Sequence, residues 1–225
     1  MNYDLVIFDW DGTLMDSTGR IVACLHQAGA DLALPRLADD TVRGIIGLGL
    51  PEAIRVLYPG IADHALHRLR ERYAVHFIAA ERTPSALYPG ARSVLNALLG
   101  GGVRLAVATG KSRKGLDRVW ASSGLGDLFH ASRCADETHS KPHPAMVEEL
   151  LAELAVPAGR ALVVGDTSFD LAMARDAGVD RVAVSHGAHP VATLLNYQPL
   201  AVIDALPQLL PLVGVAVVNQ SEETA

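Results

Sequence analysis

The sequence predicts an α/β protein, a doubly wound and mainly parallel sheet with a helical segment inserted behind its first strand. Three observations lead there. Short, β-branched, nearly all-apolar runs alternate with longer helical patterns, and polar segments rich in acids follow those runs. One stretch, from about residue 18 to residue 80, breaks the alternation by being helical throughout.

Residues 5–8, 103–108 and 161–164 are the clearest strands, and 181–184 and 201–203 are weaker ones. Their near-continuous apolar character describes strands covered on both faces, as in a Rossmann-like sheet. Helical patterns fall between them at 91–99, 114–122, 144–154 and 169–177, with Gly100-Gly101-Gly102 and Gly178 placed as helix stops. Inside the helical stretch, breaks are expected at Pro35, across 44–51 and at Pro59-Gly60; Pro84 and Pro89-Gly90 return the chain to the α/β pattern. The expected division is therefore a core of residues 1–16 and 85–225 and a helical cap of 17–84, hinged near 15–17 and 83–90. Such insertions are tolerated where the two ends lie close together. A movable cap would also exclude water during chemistry.

Composition narrows the functional class. Half of the 225 residues are apolar, enough for a sizeable core, and 19 basic against 25 acidic residues leave a formal charge of −6. That balance, with no basic stripe, argues against a nucleic-acid surface. Cys24 and Cys134 form no CxxC pair and read as reduced, core-filling thiols. No signal peptide is visible at the start, and the longest apolar stretch, 209–218, is interrupted by Pro211 and Gly214. A cytoplasmic protein without membrane association is expected, with a disordered tail at 219–225; nothing sets an oligomeric state.

Open α/β sheets bind ligands at the carboxyl ends of their strands. Asp9-Trp10-Asp11-Gly12-Thr13 follows the first run, Thr109-Gly110-Lys111-Ser112 the second, and Gly165-Asp166-Thr167-Ser168-Phe169-Asp170 the third; Ser140-Lys141-Pro142-His143-Pro144 precedes a helix. At a spacing of two, Asp9 and Asp11 face the same side of an extended chain while Trp10 turns away. One carboxylate can attack phosphorus and form an aspartyl-phosphate; the other can protonate the leaving alkoxide and later accept a proton from water. Clustered acids repel unless a cation lies among them, and hard oxygen donors suit Mg²⁺, with Asp166 the third contributor. Thr109 and the nearby backbone amides, Gly110 among them, can hold phosphate oxygens. Lys141 can neutralise charge on both the phosphoryl group and Asp9.

These motifs, in this order, resemble the four motifs of the haloacid dehalogenase superfamily, and the helical insert sits where that family's C1-type cap belongs. The resemblance implies Asp9 as nucleophile and Asp11 as general acid/base. It implies Mg²⁺ held by Asp9, the backbone carbonyl of Asp11, and Asp166, with Asp170 behind them and Thr109 and Lys141 gripping the phosphoryl group. Residues 11–17, 42–50, Tyr88-Pro89-Gly90 and 140–144 are most similar to the phosphoglycolate phosphatase group, whose motifs are shared with pyrophosphatases and other hydrolases of sugar or nucleotide monophosphates. A small phosphorylated metabolite is the expected substrate.

Each signal has a plainer reading. Asp170 could cap the helix after Gly165, and Thr109 could be a cap as well. Arg43, before a Gly-rich turn, could meet a substrate carboxylate or lie solvated on a helix. His139 and His143 read as loop residues. Dehalogenation does not require Asp11. A mutase of the β-phosphoglucomutase type carries a cap histidine where Ile21 stands. A non-catalytic binding protein has no damaged motif in its favour.

Overall fold

In a computed structural model, residues 3–216 are described; the tail expected at 219–225 lies outside them. The strands are β1 (Leu5–Phe8), β2 (Arg104–Thr109), β3 (Ala131–Cys134), β4 (Ala161–Gly165), β5 (Asp180–Val184) and β6 (Ala201–Ile203). They form one sheet in the order β3-β2-β1-β4-β5-β6, parallel at every pairing. The chain winds outward from β1 to β3, then returns to β1's other side at β4. The carboxyl ends of β1 and β4 therefore flank a topological switch point.

Alternation along the strands builds two cores. Val6, Phe8, Leu105, Val107, Leu162 and Val164 face one side, where α5 (Ala91–Gly100) and α6 (Arg113–Ser123) cover them. Leu5, Ile7, Ala106, Ala108, Ala161 and Val163 face the other, beneath α7 (Ala145–Glu153) and α8 (Ser168–Asp176). Burying each of the valine, leucine, isoleucine and phenylalanine side chains contributes about 1.5–3 kcal/mol, so both faces anchor the strand ends firmly. Both cysteines are buried and unpaired. Two short helices, α9 (Val191–Leu195) and α10 (Leu209–Val213), and the edge strand β3 were not expected from the sequence.

Between β1 and β2 the chain forms α1 (Thr18–Asp31), α2 (Asp39–Arg43), α3 (Leu50–Leu57) and α4 (Asp63–Ala80), with no strand among them. Leu66, Leu69 and Phe77 line the buried stripe of α4, at spacings of three and eight residues that keep them on one helix face. Ala28 of α1 and Ile54 of α3 join Leu66 and Leu69 in one cluster. Where this segment leaves and rejoins the sheet, the two crossing strands pair. Met15 bridges Leu87 in antiparallel fashion, Asp16 N donates to Ala86 O at 2.9 Å, and Tyr88 N donates to Leu14 O at 2.9 Å. Among the described residues, no helix is long and apolar enough to cross a membrane.

Candidate active site

Asp9 lies one residue beyond β1, but the ladder still holds it: its N–H donates to Val164 O at 2.9 Å. Strand alternation then sends Trp10 into the core, fully buried and edge-on to Phe129 at 6.1 Å, and returns Asp11 to the side of Asp9. The turn that follows needs glycine. Gly12 has φ +87°, and a Cβ there would sit 2.2 Å from Asp166 Oδ2. Thr13 comes next and donates its hydroxyl to Asp166 Oδ1 at 2.8 Å, linking the ends of β1 and β4.

Asp9, Asp166 and Asp170 are all buried, and each offers an oxygen within 4.8 Å of the others. Two unit charges that far apart repel by about 3 kcal/mol at an effective dielectric of 20, so three carboxylates together require a counter-charge. Lys141 supplies one. Its ammonium, fully enclosed, donates to Asp9 Oδ1 and to Asp170 Oδ1, each at 2.6 Å. Burial alone would lower the lysine's pKa, but the charges of Asp170 and Asp9 outweigh it and keep the ammonium protonated. One lysine among three acids still leaves negative charge, and Asp9 Oδ2 is buried with no hydrogen-bond partner. A buried, orphaned carboxylate oxygen facing further hard oxygens is the donor chemistry that Mg²⁺ takes.

Burial, aided by Asp170 and Asp166 and opposed by Lys141, pushes the Asp9 carboxyl well above its ordinary range. Burial and then the charge of Asp170 raise Asp166 to about 7, against hydrogen bonds from Ala188 N and Thr13. An unfolded Asp titrates near 4. Between there and pH 7 the folded metal-free chain binds the extra proton, so its stability falls as pH rises through that window. Differential scanning calorimetry of chelated protein should show the melting temperature declining from pH 5 to 7.5, with millimolar Mg²⁺ recovering most of the loss at the upper end. A flat profile without metal would contradict the charge assignment.

Asp170 is the helix cap that the plainer reading expected, and it binds Lys141 as well. Its Oδ2 accepts from Thr167 N at 3.1 Å and Thr167 Oγ1 at 2.6 Å, completing a capping box on α8, while Oδ1 holds Lys141. The Asp11 carboxylate is directed elsewhere. Both its oxygens accept from Lys111 Nζ at 2.9 Å, and Oδ1 also accepts from Ser17 Oγ at 2.5 Å. Of Asp11, then, the backbone carbonyl is the part left to serve a metal. Thr109 is buried at the end of β2, where its hydroxyl accepts from Lys111 N at 3.2 Å. At Gly110 the helical segment comes so close that a Cβ would lie 2.5 Å from Leu48 O. Arg43 is not in the wall of the adjoining cavity; its guanidinium donates to Thr18 Oγ1 at 3.3 Å. His139 and His143 stack on each other at 4.4 Å and join no acid cluster.

Sequence reasoning passed over Lys111, Thr13 and the 187–188 loop. Gly187 lies so close to Asp166 that a Cβ would meet its Cβ at 2.1 Å, and Ala188 N donates to Asp166 Oδ2 at 2.7 Å. The partnership of Lys111 with Asp11 spans a hundred positions, so only the parallel pairing of β1 with β2 reveals it. Asp9, Asp11, Thr109, Gly110 and Lys111 all line a cavity of about 520 Å³ whose wall also includes residues of α1 and α4.

Comparison with known proteins agrees with this arrangement. The family model described as haloacid dehalogenase-like hydrolase matches residues 6–184. A protein of Dickeya dadantii named "Probable phosphatase IndB" is 32% identical over 209 residues, covering 91% of each chain. The phosphoglycolate phosphatase of Rhodospirillum rubrum is 34% identical over 215 residues, covering 91% of this chain and 88% of its own. In fold, a hydrolase of Pseudomonas syringae is similar with a TM-score of 0.85 at 24% identity, over 92% of this chain and 96% of that one. The chain belongs to the haloacid dehalogenase-like hydrolases and is a phosphatase similar to the phosphoglycolate phosphatases.

Proposed function

We propose that this phosphatase hydrolyses a small phosphorylated metabolite through a phosphoryl group carried on Asp9, with Mg²⁺ as its cofactor. The observation that carries the reading is the environment of Asp9: one oxygen held by Lys141, the other buried without a partner, in the wall of a cavity that Asp11 also lines. Magnesium, bound by Asp9, Asp166 and the carbonyl of Asp11, would neutralise charge on the phosphoryl oxygens. The remaining steps belong to the chain's own groups.

Lys141 fixes the rotation of the Asp9 carboxylate and offsets charge beside it. A carboxylate oxygen of Asp9 bonds to phosphorus as the ester P–O bond breaks, and protonated Asp11 gives its proton to the departing alkoxide. In the second half, Asp11 takes a proton from water as the water oxygen bonds to phosphorus. The Asp9–phosphorus bond then breaks, and the carboxylate is restored with release of phosphate. Lys111 and Ser17 orient the Asp11 carboxylate, and one of its oxygens leaves Lys111 when Asp11 carries the proton. Ile21 stands in the cavity wall, where a histidine would be needed to relay a proton for a mutase, so water is the favoured acceptor. The division into a core of 1–16 and 85–225 and a cap of 17–84 belongs to the same proposal, with the paired strands at Met15 and Leu87 as the hinge.

Two measurements test the scheme. Chelation by EDTA should abolish turnover of an aryl phosphate and Mg²⁺ should restore it; activity indifferent to EDTA would exclude the metal. Asp11→Asn should lower kcat by about 10²–10⁴-fold while rapid quench still traps phosphate on Asp9. Unchanged kcat in that variant would remove Asp11 from proton transfer.

A further inference from the structure

Much of the wall that the helical segment gives the cavity is apolar. Ile21 and Leu25 of α1, Ile45, Leu50, and Tyr73 and Phe77 of α4 contribute to it, beside Glu52, His67, Arg70 and Glu71. The rings of Tyr73 and Phe77 lie 5.5 Å apart, and Phe77 sits 4.8 Å from the ammonium of Lys111. Burial, and next the charge of Asp11, holds the Tyr73 phenol well above its ordinary pKa, so that ring stays neutral.

Two of the cations that border the cavity, Lys111 and Arg118, are already engaged. Lys111 is engaged by both oxygens of Asp11, and Arg43, the sequence's candidate for that task, is outside the wall. Arg118 borders the cavity but is paired with Glu81 at 2.9 Å. Arg70 and His67, seven and ten residues before Phe77 on α4, also border the cavity, about 10 and 15 Å along the helix from Phe77. Glu52, Glu71 and Asp136 also border the cavity and would repel an anion. Its volume of about 520 Å³ is within the range that encloses drug-sized ligands, several times the bulk of a two-carbon acid.

We infer that the phosphate ester this enzyme prefers carries an extended apolar or aromatic organic group, in place of the short carboxylate of phosphoglycolate. The inference rests on the phosphatase reading above and specifies its substrate class. Apolar area removed from water on binding supplies the discrimination, at about two- to four-fold in kcat/KM per added methylene.

The experiment compares ethyl, butyl, hexyl and benzyl phosphates with phosphoglycolate, with Mg²⁺ present, in wild type, Phe77→Ala, Ile21→Lys and Asp9→Asn. Alkyl esters are chosen because their leaving groups differ little in intrinsic reactivity. Wild type should show kcat/KM rising from ethyl to hexyl, with hexyl and benzyl phosphate above phosphoglycolate. Phe77→Ala and Ile21→Lys should each lower the hexyl-to-phosphoglycolate ratio by about ten-fold, the first by removing wall area and the second by adding a cation. Reading the ratio on one preparation cancels any fraction of misfolded protein. A wild type that favours phosphoglycolate, or a ratio unmoved in both wall variants, would overturn the inference and leave the phosphatase reading standing. Hydrolysis equal in wild type and Asp9→Asn would overturn both.

Discussion

Asp9→Asn is expected to lower turnover of an aryl phosphate by three to six orders of magnitude, roughly the loss seen when a catalytic nucleophile is removed, while raising the melting temperature of the metal-free protein. The two effects have one cause. Asp9 is a buried carboxylate within 4.8 Å of Asp166 and Asp170, and its Oδ2 has no hydrogen-bond partner. Asparagine keeps the shape and still offers Oδ1 to Lys141, but it removes one of three like charges and places an amide donor among acceptors. A gain of about 1–2 kcal/mol is expected, or about 2–8 °C for a chain of this size. Thermal melts under EDTA, beside steady-state kinetics in Mg²⁺, measure both. A variant that loses activity and also melts earlier would show that Asp9 is held by attraction, and the case for a strained, cation-seeking site would fail.

Lys141→Met should move stability in the opposite direction. The lysine is enclosed, and its two charge-assisted hydrogen bonds tie the end of β1 to the start of α8. Methionine fits the stem but leaves Asp9 and Asp170 facing each other without a cation. Removing one partner of a buried ion pair typically costs about 3–5 kcal/mol, hence about 6–20 °C in melting temperature at neutral pH. Protonation of the acids relieves part of that loss, so the gap between variant and wild type should narrow toward pH 5. Millimolar Mg²⁺ should narrow it as well. A melting temperature equal to wild type at pH 7.5 under EDTA would show that the ammonium is not the internal counter-charge.

How much of this was legible beforehand follows from the range of each interaction. β1, β2 and β4 are nearly all-apolar because they are buried on both faces, and that leaves an unmistakable local pattern. β3 leaves none. Its Ser132 and Arg133 are half-buried at the sheet's edge, and Arg133 reaches out to Glu149 and Glu153. Four residues with two polar ones at the centre do not read as a strand. The acids were legible because each follows an apolar run, and a strand's carboxyl end is where chemistry collects. Lys111 followed the same rule but had no visible partner, since Asp11 is adjacent only in the folded sheet. The apolar wall was hidden for a related reason: Ile21, Leu25, Tyr73 and Phe77 have the spacing of ordinary core residues, and only the folded positions of α1 and α4 bring them to the cavity that Asp11 also lines.

The short antiparallel pairing of Met15 with Leu87, continued by Asp16 to Ala86, brings the outgoing and returning chain to one strand spacing, about 5 Å. To the sheet, everything between those two points is a closed loop whose ends are already joined. Helices there can lengthen, shift register or be exchanged without altering how β1 meets β2 or where the acids lie. On the proposed division into core and cap, the catalytic half and the half that selects the leaving group would be under separate mutational constraint. An ancestor bearing this stem could acquire new esters by redrafting a single excursion of the chain, its reaction chemistry inherited intact.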